Sequence, residues 1–333
     1  MDKPIPLTAA KKQDSDPLDW IGAFTVDKQE VATYEEPDWC YPNLIIEQHI
    51  VAWVADPGAG KTTVATHVCG ELTAQGYKVL YVLADIGRSD IKHYHAQAEK
   101  HGWELLLPDV KVGLSMADVV DNLARMNAVA ADYTGVVFIF DTLKKCVDVI
   151  NKRSVKEFLH LLRQLTAKGM TIVLLGHTNK YKGEDGEPIF EGTHDVKTDV
   201  DDLLYLIPRE EPNGFKLVQT KPSDKVRGSF KPITFRIHPD RSVTRHEVPG
   251  DLIELNREDR QFAEDRDVID AVKDALEAGK IKQLEIIEAC KPIGEKKIRR
   301  ILKRYSSGHH KQWTEERAFE KNTLQYFPLR EKP

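Results

Sequence analysis

A glycine-rich segment between a predicted strand and a predicted helix most limits how this chain can fold. Ile50–Ala55 is an apolar run typical of a buried strand, and Lys61–Gln75 has helical apolar spacing, with Gly76 as a C-cap. The segment between them reads Ala55-Asp56-Pro57-Gly58-Ala59-Gly60-Lys61-Thr62. Its successive main-chain N–H groups can wrap a phosphate at the helix N-terminus. A strand, this loop and a helix form the P-loop pattern, which predicts a nucleoside triphosphate site.

The residue types in this loop match the chemistry of a triphosphate. We expect the ammonium group of Lys61 to contact the β- and γ-phosphates, and the hydroxyl of Thr62 to bind Mg2+. ATP is therefore the predicted nucleotide and Mg2+ its predicted cofactor. The predicted nucleotide-binding residues are Ala55, Asp56, Pro57, Gly58, Ala59, Gly60, Lys61, Thr62 and Thr63.

Three further polar residues follow apolar runs that predict strands. Asp141 is predicted to complete the Mg2+ site with Thr62, in a Walker B arrangement. Asp85 is predicted to be the base that polarises the attacking water, although an acid there also suits a helix N-cap. His177 is predicted to sense the γ-phosphate, although a single histidine is more often structural. The runs are Val79–Ala84, Val136–Phe140 and Thr171–Leu175.

Apolar runs alternate with helical stretches from about residue 38 to residue 247. The helical stretches include Met116–Ala130 and Ser154–Ala167, the second with Ser154 as its N-cap. This alternation predicts an α/β fold with a parallel sheet and helices on both faces. Three strands then follow one another through short turns and predict an antiparallel extension of the sheet. They are Leu203–Ile207, Phe215–Gln219 and Ile233–Ile237.

The chain divides by composition into four predicted segments. Residues 1–36 are polar and predict an N-terminal arm, and residues 37–247 form the α/β domain. Residues 248–262 are charged, and their apolar residues show no clear helical or strand spacing, so they predict a linker. Residues 263–333 predict a small C-terminal domain that resembles a winged helix. Its predicted helices are Arg266–Glu277, Ile281–Ala289 and Gly294–Tyr305, and its strands are Trp313–Ala318 and Thr323–Pro328.

Charge is unevenly distributed along the chain. The net charge is −5, but residues 291–333 contain 12 Lys/Arg and 5 Asp/Glu, so this tail carries +7 and the rest −12. The third predicted helix of the tail is strongly basic. A basic helix in a winged helix predicts contact with nucleic acid. The alternative is a protein-interaction domain whose basic face is only solvated.

The stretch from Trp39 to about Arg245 resembles the RecA-like ATPase core of hexameric replicative DNA helicases. The plasmid RepA type is the most similar, and DnaB-type helicases are more distant. The motifs that carry the resemblance are ADPGAGKT (55–62), the strand ending in Asp85, VVFIFD (136–141), LLGHTNK (174–180) and KPSDKVRG (221–228). The last motif resembles the KxR element of these ring helicases.

The resemblance implies that Lys225 and Arg227 reach the nucleotide site of a neighbouring subunit, with Arg227 as the arginine finger. An exposed basic turn is the alternative. The resemblance further implies a homo-oligomer, a hexamer in this family, that couples ATP hydrolysis to DNA translocation and unwinding. Such an enzyme serves the replication of a plasmid, phage or other mobile element.

The chain departs from this family at Asp85, where these helicases usually have glutamate. The shorter side chain implies slow hydrolysis or a different base. The family also places contacts with single-stranded DNA on the loops after Asp141 and His177, which line the pore of the ring and are called the pore loops below. Any one lysine there can equally be a solvated charge. The first loop holds Lys144, Lys145, Lys152 and Arg153; the second holds Lys180, Lys182 and Lys197, with Gly183, Gly186 and Gly192.

Two other readings remain open. A ParA-like nucleotide switch has a similar P-loop, but that family carries a lysine near the loop's start, where this chain has Asp56 and Pro57, and it has no KxRG element. A helicase loader or recombination mediator would use ATP without processive unwinding.

Four widely spaced cysteines indicate reduced thiols. Without a long apolar run or a signal peptide pattern, we expect a cytoplasmic location and no membrane contact.

Overall fold

A computed structural model describes most of the chain. The described residues are 18, 21–22, 25–32, 38–84, 86–110, 113–146, 152–179, 183, 188–191, 194–248, 250–318 and 323–329. They fall into two compact units, Met1–Asp38 and Trp39–Pro333. The first unit contains the short helix α1 (Lys28–Val31). All further elements belong to the second unit.

Nine strands of the described residues form one sheet, and two more, β1 (Trp39–Tyr41) and β2 (Ile45–Ile46), form a separate hairpin. The large sheet has the order β11-β10-β9-β8-β3-β7-β6-β4-β5. Its parallel part is β3 (Ile50–Ala55), β4 (Lys78–Leu83), β5 (Glu104–Leu106), β6 (Val136–Asp141), β7 (Thr171–His177) and β8 (Asp202–Glu210). Its antiparallel part is β9 (Lys216–Pro222), β10 (Thr234–Ile237) and β11 (Val243–His246). The predicted parallel sheet with an antiparallel extension is confirmed.

Helices cover both faces of this sheet. Along β3, Val51 and Trp53 face one apolar core, which includes Leu72, while Ala52 and Val54 face the other. A strand in contact with two helix layers is apolar on both sides, which is why its sequence shows no alternation. The helices are α2 (Lys61–Ala74), α3 (Arg88–His101), α4 (Met116–Ala128), α5 (Leu143–Cys146), α6 (Lys152–Thr166) and α7 (His194–Asp199).

Two local details differ from the sequence predictions. Ser154 lies inside the first turn of α6, which begins at Lys152, so the prediction that it caps this helix is wrong. Helix α3 was not predicted, because its sequence is mostly polar and its apolar stripe is limited to Ile91, Tyr94 and Ala98, of which only Ala98 is buried.

Helix α8 (Leu252–Glu264) occupies most of residues 248–262, the predicted linker, so this stretch is helical rather than irregular. The side chain of Asp251 caps α8 by accepting a 2.7 Å hydrogen bond from the N–H of Ile253. Leu252 and Ile253 are buried against Ile207 and Leu217 of the sheet. The contact with the sheet comes from the first turn, and residues 256–261 are all polar or charged, so the sequence shows no continuous apolar spacing typical of a helix.

The rest of the described chain has its own apolar core. Helices α9 (Arg266–Glu277), α10 (Gln283–Ala289) and α11 (Glu295–Arg304) pack with β12 (Trp313–Arg317) and β13 (Leu324–Pro328), an antiparallel hairpin. The core includes Val272, Ile286, Ile301, Trp313 and Tyr326. The predicted helices and hairpin are present; the winged-helix assignment stays a prediction. No helix among the described residues combines the length and the apolar character needed to cross a membrane.

Candidate nucleotide-binding site

The predicted P-loop has the backbone that a phosphate site needs. It connects the end of β3 to the start of α2, with Gly58 and Gly60 at φ of 75° and 94°. The positive φ of Gly60 favours glycine, and a Cβ there would also displace Cδ1 of Ile237, which would lie 2.5 Å away. No described side chain caps α2. The N–H groups of its first turn can therefore bind an anion.

Lys61, Thr62, Asp141 and His177 meet at the carboxyl ends of β3, β6 and β7. The Nζ of Lys61 is 3.5 Å from Nδ1 of His177. The hydroxyl of Thr62 donates a 2.6 Å hydrogen bond to Oδ2 of Asp141. A hydroxyl beside a carboxylate is an oxygen-donor set suited to Mg2+. These two residues therefore fit the predicted metal.

A cleft of about 620 Å³ lies over the loop. Ala55 is fully buried and packs into the apolar core, and Pro57 is exposed outside the lining, so neither side chain faces the cleft. The remaining predicted nucleotide-binding residues do line it; they are Asp56, Gly58, Ala59, Gly60, Lys61, Thr62 and Thr63.

His177 connects the cleft to the loop that follows β7. Burial and the neighbouring cations Lys61 and Lys144 lower the pKa of His177. The carbonyl of His177 accepts a 2.9 Å hydrogen bond from the N–H of Glu191, and Thr178 pairs with Phe190 in an isolated β-bridge. The two ends of the loop are thus held together immediately beside His177. The hydroxyl of Thr178 also donates to the carboxylate of Asp56 in the P-loop.

Several predicted site residues lie outside the described part of the chain or at its edge. Asp85, the predicted base, is outside the described residues. The same holds for Lys180, Lys182, Gly186 and Gly192 of the second predicted DNA loop, whereas Gly183 is described. Of the other predicted DNA contacts, Lys144 and Lys145 are exposed on α5, and Lys152 begins α6. Arg153 pairs with Glu157 at 2.9 Å, and Lys197 pairs with Asp224 at 2.8 Å.

Arg227 is held by two adjacent, fully buried aspartates that lead into β8. Its main-chain N–H donates a 2.7 Å hydrogen bond to Oδ1 of Asp202, and its guanidinium lies 2.9 Å from Oδ1 of Asp201. The next residue, Gly228, packs so closely on β2 that a Cβ there would lie 2.6 Å from Cδ1 of Ile46. The arginine loop is therefore a fixed part of the fold, while the Arg227 side chain stays 60% exposed.

The structure separates Arg227 from the P-loop of its own chain. Asp201 accepts a 2.9 Å hydrogen bond from the N–H of Ile50, the first residue of β3, whereas the P-loop follows the last residue of β3. At about 3.3 Å per residue, the two ends of this strand are roughly 17 Å apart. Lys225 is on the same side as Arg227, where its carbonyl accepts a 2.8 Å hydrogen bond from the N–H of Leu203. Within one chain, neither cation joins Lys61, Thr62, Asp141 and His177.

Sequence reasoning missed two residues that contact the loop or its metal ligands. The Nζ of Lys216 donates a 2.7 Å hydrogen bond to the carbonyl of Gly58, which adds a second cation to the cleft. The hydroxyl of Tyr81 donates a 2.8 Å hydrogen bond to Oδ2 of Asp141. Neither residue belongs to a motif: Lys216 begins an antiparallel strand whose register the sequence does not reveal, and Tyr81 lies in an apolar run.

A match to a protein family agrees with this geometry. Residues 16–183, just over half of the chain, match the AAA_25 family, described as an AAA domain. The structure is similar to the crystal structure of flagellar accessory protein FlaH from Methanocaldococcus jannaschii, with 16% identity and a TM-score of 0.43. That similarity covers 61% of this chain and 92% of the FlaH chain. A search of curated proteins gave no match. The family match shows that this chain belongs to the AAA domain family, and the P-loop and the mostly parallel sheet are those of a nucleotide-binding ATPase with an α/β fold.

Proposed function

We propose that this protein is an ATP-dependent, ring-forming DNA translocase of the helicase type that serves the replication of a mobile element or phage. The observation that carries the proposal is the position of Arg227. Its loop is fixed and its guanidinium is accessible. However, Arg227 lies near the amino-terminal end of β3, whereas Lys61 of the same chain lies beyond the carboxyl-terminal end of that strand. An arginine finger in that position needs a second copy of the chain.

The cleft contains the groups of one chain that we propose bind ATP and position the attacking water. Lys61 contacts the β- and γ-phosphates, while the amides of the P-loop surround them. Thr62 and Asp141 would hold Mg2+, which would supply positive charge to neutralise the phosphate oxygens. Asp85, two residues after the end of β4 in the sequence, is the proposed base for the attacking water. His177, close to Lys61, detects the presence of the γ-phosphate.

The proposed partner subunit completes this site. Arg227 of one copy stabilises the transition-state charge on the γ-phosphate held by the next copy, with Lys225 as its companion. The finger and the P-loop are on different surfaces of the chain, so the contact between copies is head-to-tail. A head-to-tail contact that closes on itself makes a ring. We propose a hexamer, as in the helicases that the motifs resemble.

The proposed DNA contacts lie on the pore loops and on α11. The loop that follows His177 is joined to it by the hydrogen bond from Glu191, so loss of the γ-phosphate can move this loop. On α11, four exposed cations form no ion pair among the described residues: Lys296, Lys297, Arg300 and Lys303. Arg299 and Arg304, by contrast, pair with Glu295 and Asp265. The four exposed cations favour contact with phosphates.

Mass in solution and strand displacement test this proposal. The full chain is expected to assemble into a ring-sized oligomer with a non-hydrolysable ATP analogue, and to displace a strand from forked DNA when ATP is present. A monomer under all conditions would contradict it. An oligomer that binds DNA without displacing a strand would favour the loader, recombination mediator or ParA-like switch instead.

A further inference from the structure

The hydroxyl of Tyr81 is the feature of the buried sheet that packing does not explain. Tyr81 lies in β4, is fully buried, and packs its ring near Trp103, with centroids 5.7 Å apart. Phenylalanine would fill the same space. A buried hydroxyl costs free energy unless it has a hydrogen-bond partner. Its partner is Oδ2 of Asp141, at 2.8 Å.

Two donors converge on this one oxygen. Oδ2 of Asp141 accepts from Tyr81 on one side and from the hydroxyl of Thr62, at 2.6 Å, on the other. The carboxylate is only 2% exposed, so water adds little to its hydration. With Oδ2 occupied in this way, rotation of the carboxylate is restricted. Oδ1, which accepts no hydrogen bond from any described residue, is the oxygen left for other contacts.

We infer that Tyr81 is a positioning residue for the metal site: its hydroxyl fixes the Asp141 carboxylate in the orientation that binds Mg2+ together with Thr62. Groups that hydrogen-bond to a metal-binding carboxylate commonly change metal affinity or activity about 10- to 100-fold when they are removed. The inference rests on the proposed ATP hydrolysis with Mg2+. It gives a role at the metal site to a residue of β4 itself.

Tyr81→Phe tests this inference, and Tyr133→Phe is a matched control. The hydroxyl of Tyr133 also makes a 2.8 Å hydrogen bond, but to the carbonyl of Met126, away from the cleft. The primary measurement is the affinity of the full chain for a fluorescent, non-hydrolysable ATP analogue, in EDTA and across a Mg2+ titration. A second measurement is the Mg2+ concentration that gives half-maximal ATPase activity.

Tyr81→Phe is expected to bind the analogue in EDTA as wild type does. It should need about tenfold more Mg2+ to reach half of the Mg2+-dependent increase in analogue affinity and half of the maximal ATPase rate. Saturating Mg2+ should largely restore kcat. If Tyr81→Phe and Tyr133→Phe have the same Mg2+ dependence, the inference is overturned and the proposed function is untouched. If Mg2+ has no effect on wild type, the proposed chemistry and the inference are both overturned.

Discussion

The main-chain N–H of Arg227 donates a 2.7 Å hydrogen bond to the buried carboxylate of Asp202, the residue that begins β8. Oδ2 of Asp202 lies 2.6 Å from Nδ1 of His49, the residue immediately before β3. The backbone of the arginine loop is therefore tied to the central strands of the sheet, independently of the Arg227 side chain. Removal of that side chain should leave the loop in place.

Arg227→Ala is thus expected to lower the ATPase rate by about a thousandfold or more, because an arginine finger contributes 10³–10⁵ in rate. Nucleotide affinity should change little, since Arg227 is remote from the P-loop of its own chain. Steady-state turnover and analogue binding measure the two effects. Lys231→Ala, which removes an exposed charge from the same loop, is the control and should retain activity. Equal turnover of the two variants would count against the finger.

His177 predicts a pH dependence of stability. Burial, Lys61 and Lys144 lower its pKa in the folded chain, so the unfolded chain binds the proton more readily. The stability from neutral His177 is complete above the ordinary histidine pKa of about 6.5 and is lost as the pH falls through the lowered value. Urea unfolding at several pH values from 5 to 8 measures this effect. As the pH falls, the free energy of unfolding should decrease less in His177→Gln than in wild type. His95→Gln, at an exposed position of α3, should behave as wild type, and identical slopes in all three proteins would contradict the assignment.

The exposed cations of α11 predict a salt-dependent contribution to DNA binding. Replacing both Lys296 and Lys297 with alanine should weaken binding and reduce the slope of log K against log salt by roughly 2, because each phosphate contact contributes about 0.9. Titration of duplex DNA at several salt concentrations measures the slope. Arg299→Ala is the control, because Arg299 is already paired with Glu295 at 2.7 Å. An unchanged slope in the double variant would place the DNA contacts elsewhere.

Helix α8 predicts a stability effect in a region whose sequence suggests a linker. Leu252 is completely buried against the sheet, so Leu252→Ala should lower the free energy of unfolding by about 2–5 kcal/mol. Leu284→Ala, at a position 66% exposed on α10, should change it little. Urea unfolding of both variants at one pH measures the difference. Equal stabilities would show that α8 does not anchor on the sheet.

Local sequence was sufficient to predict the P-loop half of the site. Thr62 and Asp141 are far apart in the chain, but Thr62 follows the loop at the carboxyl end of β3 and Asp141 is the last residue of β6. The carboxyl ends of neighbouring parallel strands meet at one edge of a sheet. His177 follows the same rule. Position at a strand end therefore predicted which of these residues meet.

The residues that escaped prediction depend on register and on long-range packing. Tyr81 is one of several apolar-run residues, and only the pairing of β4 with β6 brings its hydroxyl to Asp141. Lys216 reaches Gly58 because β9 runs antiparallel beside β8, a register that no motif encodes. Asp201 and Asp202 precede an apolar strand in the sequence, and their role appears only when the arginine loop folds back on them.

A mixture of two inactive variants is the most direct test of the proposed active site shared between subunits. Lys61→Ala removes the phosphate-binding cation but keeps Arg227, and Arg227→Ala keeps Lys61, so each variant alone should be almost inactive. In a mixed oligomer, Lys61 of one copy can meet Arg227 of the next. The ATPase activity of the mixture is therefore expected to be well above the sum of the activities of the two separate variants. A mixture no more active than that sum, under conditions where the variants co-assemble, would contradict it.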